Sequence, residues 1–184
     1  MAAIHRSRVL RAATSSFLAR GYGSSVDDIA RRARVAKQTV YQHFASKDEL
    51  FKAVAEELAK RVLVELEGGD IRASLLRFGL AYRSRALGAQ GIATFRTLVP
   101  EVPRFRALAR TMYANTAGEM VRRLAGFLRE KLEVEDAEFA AEMLLSMLTG
   151  HDRLKRLFAV PPGSESEAKR TERIVDTFLK AVQR

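Results

Sequence analysis

An all-α fold of about nine helices is what this 184-residue sequence predicts, and three observations carry the prediction. Apolar residues recur at spacings of three and four, which lines up one face of a 3.6-residue helix. No stretch alternates apolar and polar residues for long enough to make a strand. The four prolines, Pro100, Pro103, Pro161 and Pro162, fall in two pairs where connections are expected.

The elements follow in order. Leu10, Ala13 and Phe17 share one face of a first helix over about 4–20, and Gly21 supplies a left-handed stop. Ser25 with Asp28 reads as a capping pattern for a short second helix ending near Ala33. A third short helix is expected from Lys37 to Phe44. Ser46 and Glu49 form a fuller capping box, opening a long helix from Lys47 to about Glu67 that Gly68-Gly69 ends. Asp70 can cap the fifth helix, whose stripe is Ile71, Leu75, Phe78 and Tyr82. A shorter helix over about 89–99 ends at Pro100-Glu101-Val102-Pro103. One long helix is expected over about 104–131, with Phe105, Leu108, Met112, Leu124 and Phe127 facing inward. The last two, about 136–158 and 167–182, flank a PPGSES connection. No internal repeat or low-complexity segment interrupts the series.

Composition narrows the chemistry. With no cysteine, disulfides, thiolate metal sites and cysteine nucleophiles are excluded together, which suits a reducing cytoplasm. The opening MAAIHRSRVLR places arginines where a signal peptide needs its apolar run, and no apolar run nears the ~20 residues that span a bilayer. A cytoplasmic protein with no membrane partner is the expectation. Net charge is +10 and unevenly spread: residues 1–60 hold 11 Lys/Arg against 6 Asp/Glu, whereas residues 111–184 hold 12 of each. A basic first part suits a polyanion, although a merely solvated basic surface is consistent with charge alone.

Two short helices joined by a tight turn suit one task, laying the second in the DNA major groove. Ala30 is small enough for the helix crossing, and Ile29, Val35, Val40 and Phe44 supply apolar plugs. Lys37, Gln38, Thr39, Tyr41 and His43 give the third helix an outer face too polar for packing alone. The run from Val9 to Leu50 resembles the DNA-binding domain of the TetR family of regulators. The resemblance rests on Phe17, Gly21-Tyr22, Ile29-Ala30, Val35, Thr39-Val40-Tyr41, His43-Phe44, Ser46-Lys47 and Leu50. Two positions depart from the family pattern. Arg34 stands where a turn glycine is usual, at a cost of roughly 1–2 kcal/mol if left-handed. Ala36 stands where a serine usually caps the reading helix, a loss of about 1 kcal/mol.

The resemblance implies roles residue by residue. Lys37 and Gln38 would touch base edges, lysine favouring guanine and glutamine adenine. Thr39 would meet a thymine methyl or a phosphate, and Tyr41 and His43 would clamp phosphates. Lys47, in the first turn of its helix, is the strongest phosphate candidate, with Ser25 a weaker one. His5, Arg6 and Arg8 would add long-range attraction or simply form a solvated basic end.

The remaining helices contain no catalytic constellation, metal-ligand spacing or phosphate-cradling glycine loop, so no enzyme, metal or cofactor is expected. Their bulky apolar residues suit either ordinary core or an adaptable pocket. By resemblance, Phe78, Tyr82, Phe95, Met112, Tyr113, Met120, Met147 and His151 would line a site for a small effector. The stripes Met143, Met147, Leu154 and Ile174, Phe178, Val182 would build a homodimer interface. The division expected is 1–46 for DNA binding and 47–184 for ligand binding and dimerisation. The function implied is an effector-responsive regulator, a repressor binding double-stranded DNA at a palindromic operator. A sequence-indifferent architectural DNA-binding protein is the alternative.

Overall fold

The computed structural model describes residues 2–63, 66, 70–103, 106–161 and 163–182. Its regular elements are helical throughout, with no strand among the described residues. They are α1 (Ala2–Arg20), α2 (Val26–Ala33), α3 (Lys37–His43), α4 (Lys47–Leu63), α5 (Ile71–Leu87), α6 (Ala89–Leu98), α7 (Arg106–Tyr113), α8 (Glu119–Lys131), α9 (Ala137–Leu157) and α10 (Glu167–Val182). The expected stop of α4 at Gly68-Gly69 lies outside the described residues, as do Phe105 and the side chain of Leu108.

Side-chain caps open α5, where the sequence places one, and α9. Asp70 accepts the N–H of Ala73 at 2.7 Å, and Asp136 that of Phe139 at 2.9 Å. The single long helix expected over 104–131 is modified. Ala114–Gly118 form a π-helical stretch between α7 and α8. The segment is ANTAG, small residues with Asn, Thr and Gly among them, whose weak α-helix preference makes a locally widened turn cheap.

The chain forms two compact units: Met1–Leu58 with Ala93–Asn115, and Ala59–Ile92 with Thr116–Arg184. In the first, Val9, Ala13, Phe17, Ile29, Val40, Phe44 and Leu50 are buried as one cluster. In the second, Leu75, Phe78, Leu124, Leu144, Leu148 and Phe178 form the centre of a bundle of α5, α8, α9 and α10. Gly79 has a packing reason. A Cβ there would lie 2.8 Å from Thr171 Cγ2 and 3.1 Å from a Leu148 methyl, so glycine lets α5 close on α10 and α9.

A buried cation ties these helices together. Arg83 on α5 is 2% exposed; it donates to the Leu148 carbonyl and pairs with Asp152 at 2.9 Å and with Glu167 of α10. Arg170 also pairs with Asp152, at 2.8 Å. Burial opposes the ionisation of Asp152, but hydrogen bonds from Arg170 and Arg83 outweigh it and hold its carboxyl below the usual range. Nearer the surface, Arg72 clamps Asp176 at 2.6 Å and Glu172 at 2.9 Å.

The stripe expected to meet a second copy needs correction on α10. Phe178 is fully buried within its own bundle, and Ile174 and Val182 are half-buried against the same core. A helical stripe shows that a face needs covering, and here the chain covers it. On α9, Met143 and Met147 also pack on this core, whereas Phe139, Leu154 and, just past its end, Phe158 stay more than half exposed.

Candidate nucleic-acid interface

α1 ends at Gly21, whose φ of 64° is open to glycine at no steric cost. The Ser24 hydroxyl then donates to the Ser16 carbonyl at 2.9 Å, fixing the reversal. Ser25 caps α2 by accepting the Asp28 N–H at 3.0 Å. That bond uses a lone pair, so its own O–H remains a donor.

The turn after α2 carries the expected departure. Arg34 is left-handed (φ 55°, ψ 50°), and its N–H donates back to the carbonyls of Ala30 and Arg31. Val35 N–H also bonds the Ala30 carbonyl, at 3.1 Å, closing the helix end. Ala36 starts α3 with no side-chain cap, as its missing hydroxyl dictates. From that start α3 presents two faces. Val40 and Phe44 are buried beneath it, while Lys37, Gln38 and Tyr41 are exposed and Thr39 and His43 half-buried. Lys37 is not free: its ammonium lies 2.9 Å from the Asp27 carboxylate, and that hydrogen bond raises its pKa.

At the start of α4, Ser46 accepts the Glu49 N–H at 3.1 Å. The Glu49 carboxylate accepts the Ala45 N–H at 3.0 Å, one residue earlier than in the standard capping box. The Lys47 ammonium sits 4.1 Å over the Tyr22 ring, and burial lowers its pKa against the opposing pull of Asp48. Tyr22 is held in turn by edge-on contact with Phe51, by stacking on Phe17, and by donating its O–H to Asp48. Burial and the Asp48 carboxylate push its phenol up to about 12. The interface thus offers a polar helix face flanked by two capped helix starts, one with a hydroxyl and one with a seated cation. Such a set can position phosphates and read base edges.

Two family models match the chain. The one described as bacterial regulatory proteins of the tetR family covers residues 9–54, and the AefR-like transcriptional repressor C-terminal domain covers 73–183. The chain belongs to the TetR family. Members of this family are transcriptional regulators rather than enzymes. The HTH-type transcriptional activator FasR of Mycolicibacterium smegmatis is 48% identical over 52 residues, 28% of this chain and 24% of that protein. The A-factor receptor protein of Streptomyces griseus is 32% identical over 87 residues, 45% of this chain and 32% of that protein. The chain therefore matches well under two thirds of these curated relatives. A solved structure, the flavonoid-responsive regulator FrrA, is 30% identical, covers 97% of both chains and superposes with a TM-score of 0.71.

Within this TetR-family chain, all seven residues expected at DNA belong to the first unit: Ser25, Lys37, Gln38, Thr39, Tyr41, His43 and Lys47. Sequence reasoning missed two partners, Asp27 for Lys37 and Tyr22 for Lys47. The eight residues expected at an effector divide. Phe78 and Met120 are buried and Tyr82 and Met147 half-buried in one core, with Phe78 and Tyr82 stacked at 5.8 Å. Phe95, Met112 and Tyr113 belong to the other unit, where Met112 packs on the N-terminal core and Tyr113 is largely exposed. His151 is exposed on α9. Among the described residues no group of His and acidic side chains could hold a metal, and no helix is long and apolar enough to cross a membrane.

Proposed function

We propose that this regulator is a cytoplasmic repressor that binds a palindromic operator as a homodimer and releases it when a small apolar or amphipathic effector binds. The observation that carries the DNA reading is the two-faced α3, polar outward over the buried Val40 and Phe44 and flanked by Ser25 and Lys47. In this reading residues 1–46, with Lys47 at the start of α4, read DNA: Lys37 and Gln38 at bases, Thr39 at a thymine methyl or a phosphate, and Tyr41, His43, Ser25 and Lys47 on the backbone. Lys37 exchanges Asp27 for a base edge. Residues 47–184 receive the effector at Phe78, Tyr82, Met120 and Met147. The flavonoid-responsive relative supports an aromatic, amphipathic ligand, and the repressor named in the C-terminal family model supports the sign. The exposed Phe139, Leu154 and Phe158 support a dimer through α9, with two heads on two half-sites.

The test is selection of duplexes from a random library by the full chain. Recovered sequences should carry two half-sites related by a two-fold axis. Gln38→Ala should then cost about 1–3 kcal/mol on the selected duplex and relax one base position in each half. Unrelated recovered sequences, with equal losses on selected and scrambled DNA, would instead describe a sequence-indifferent architectural protein.

A further inference from the structure

Four arginines converge on one concavity of the first unit. Arg8 and Arg11 reach it from α1, Arg32 from the last turn of α2 and Arg34 from the turn that follows, with Ala12, Ser15 and Ala33 completing the lining. No carboxylate lines it among the described residues. The acids on α2 are engaged elsewhere, Asp28 by Arg20 and Arg31, and Asp27 by Lys37.

The cleft is shaped as well as charged. The Arg8 guanidinium donates to the Arg34 carbonyl at 3.3 Å, which joins α1 to the turn and fixes one wall. Arg34 keeps its long cation at a left-handed position that glycine fills more easily. Four like charges around one hollow repel one another, and an anion entering it relieves that repulsion. A guanidinium's planar fork matches phosphate oxygens two at a time, and Ser15 adds a hydroxyl donor.

Position selects the kind of phosphate. Arg34 stands three residues before Lys37, so three Cα steps of about 3.8 Å hold it within ~11 Å of the first residue of α3. That distance is about the width of the major groove that a reading helix enters, so a backbone strand bordering the groove comes within reach. We propose that Arg8, Arg11, Arg32 and Arg34 form a second phosphate-binding surface, gripping the DNA backbone beside the bases that α3 reads. The proposal rests on the reading of α3 as the DNA-reading helix. An inorganic phosphate or a small phosphorylated metabolite shares the same chemistry, and the experiment separates these sources.

The double variant Arg11→Gln/Arg32→Gln alters two exposed side chains, and its binding to the selected and to a scrambled duplex is measured across salt concentrations. The slope of log K against log salt should flatten by about 0.9 for each phosphate the protein no longer neutralises, on both duplexes alike, with base preference unchanged. Arg11→Lys/Arg32→Lys keeps the charge and should recover most of the slope. Arg129→Gln/Lys169→Gln, which removes as much charge from exposed positions of α8 and α10, should leave the slope at the parental value. An unchanged slope for Arg11→Gln/Arg32→Gln, with the parent binding its selected duplex, overturns the cleft and leaves α3 standing. A parent that binds no duplex overturns the underlying reading instead. Inorganic phosphate that binds the parent but not the double variant, with the duplex slope unaltered, overturns the DNA assignment in favour of a small phosphorylated ligand.

Discussion

In the first unit, the groups that cap α2 and α4 lie three or four residues from what they fix: Ser25 with Asp28, Ser46 with Glu49, Arg34 with Ala30 and Arg31. In the second, the polar contacts that hold the bundle bridge distant parts of the chain. Arg83 meets Asp152 and Glu167, and Arg72 meets Glu172 and Asp176. The difference has an energetic meaning. A local cap is one neutral hydrogen bond at a wet helix end, worth about 1 kcal/mol, and its removal affects one turn. A buried arginine shared by three helices is a concentrated liability, because its removal leaves the mostly buried Asp152 with Arg170 alone and takes a donor from the Leu148 carbonyl. The reading head is therefore tunable one residue at a time, and the bundle is sensitive at a few positions.

The largest expected effect breaks the bundle at its cation. Arg83→Ala should lower the unfolding free energy by about 3 kcal/mol, the low end of the range for a broken buried pair, because Asp152 retains Arg170 and Glu167 is half exposed. Arg83→Met, apolar and similarly long, should recover part of that stability. Denaturant titration measures both, and a decrease below about 1 kcal/mol for Arg83→Ala would mean that the network is solvated and the contrast false.

Acid should expose the same asymmetry. The folded-state pKa of Asp152 is lowered, so its contribution is fully present above the unfolded value of about 3.9 and is lost as pH falls through the lower folded value. Thermal unfolding followed below about pH 4 should show the parent losing stability more steeply than Asp152→Asn. Parallel profiles for the two proteins would remove Asp152 from the account.

The smallest effect sharpens the other side. Ser25→Ala should cost about 1 kcal/mol of stability, since Asp28 N–H loses its acceptor at a position open to water. Hydrogen exchange should place the weakening at the first turn of α2. Reduced protection throughout the first unit would show that its caps are cooperative rather than local.

The same contrast explains what the sequence disclosed. Gly21, Ser25, Ser46 and Asp70 were legible because each acts on backbone a few residues away. Ala36 was legible as an absent cap, and Arg34 as a left-handed residue without glycine. Phe178 was misplaced because periodicity reports a face needing cover, and the chain's own bundle and a second copy leave the same pattern. Arg83 carried a usable sign. It continues the stripe of Leu75 and Gly79 at a spacing of four, and a cation on an apolar stripe calls for a buried acid. Which acids, 69 and 84 residues onward, no local pattern encodes. Lys37 read as an open base contact because Asp27 stands ten residues earlier, beyond helical neighbour spacing.

Arg34 gives the turn a history as well as a shape. A left-handed arginine costs the folded chain roughly 1–2 kcal/mol that glycine would spare. Protein stability drifts wherever selection does not hold it, and the easiest improvement at this position is a single change to glycine. A screen scoring heat resistance alone would enrich that change. The variants it returned would be sturdier molecules with one fewer cation beside the reading helix. Engineering this scaffold for durability and engineering it for grip on a polyanion pull residue 34 in opposite directions.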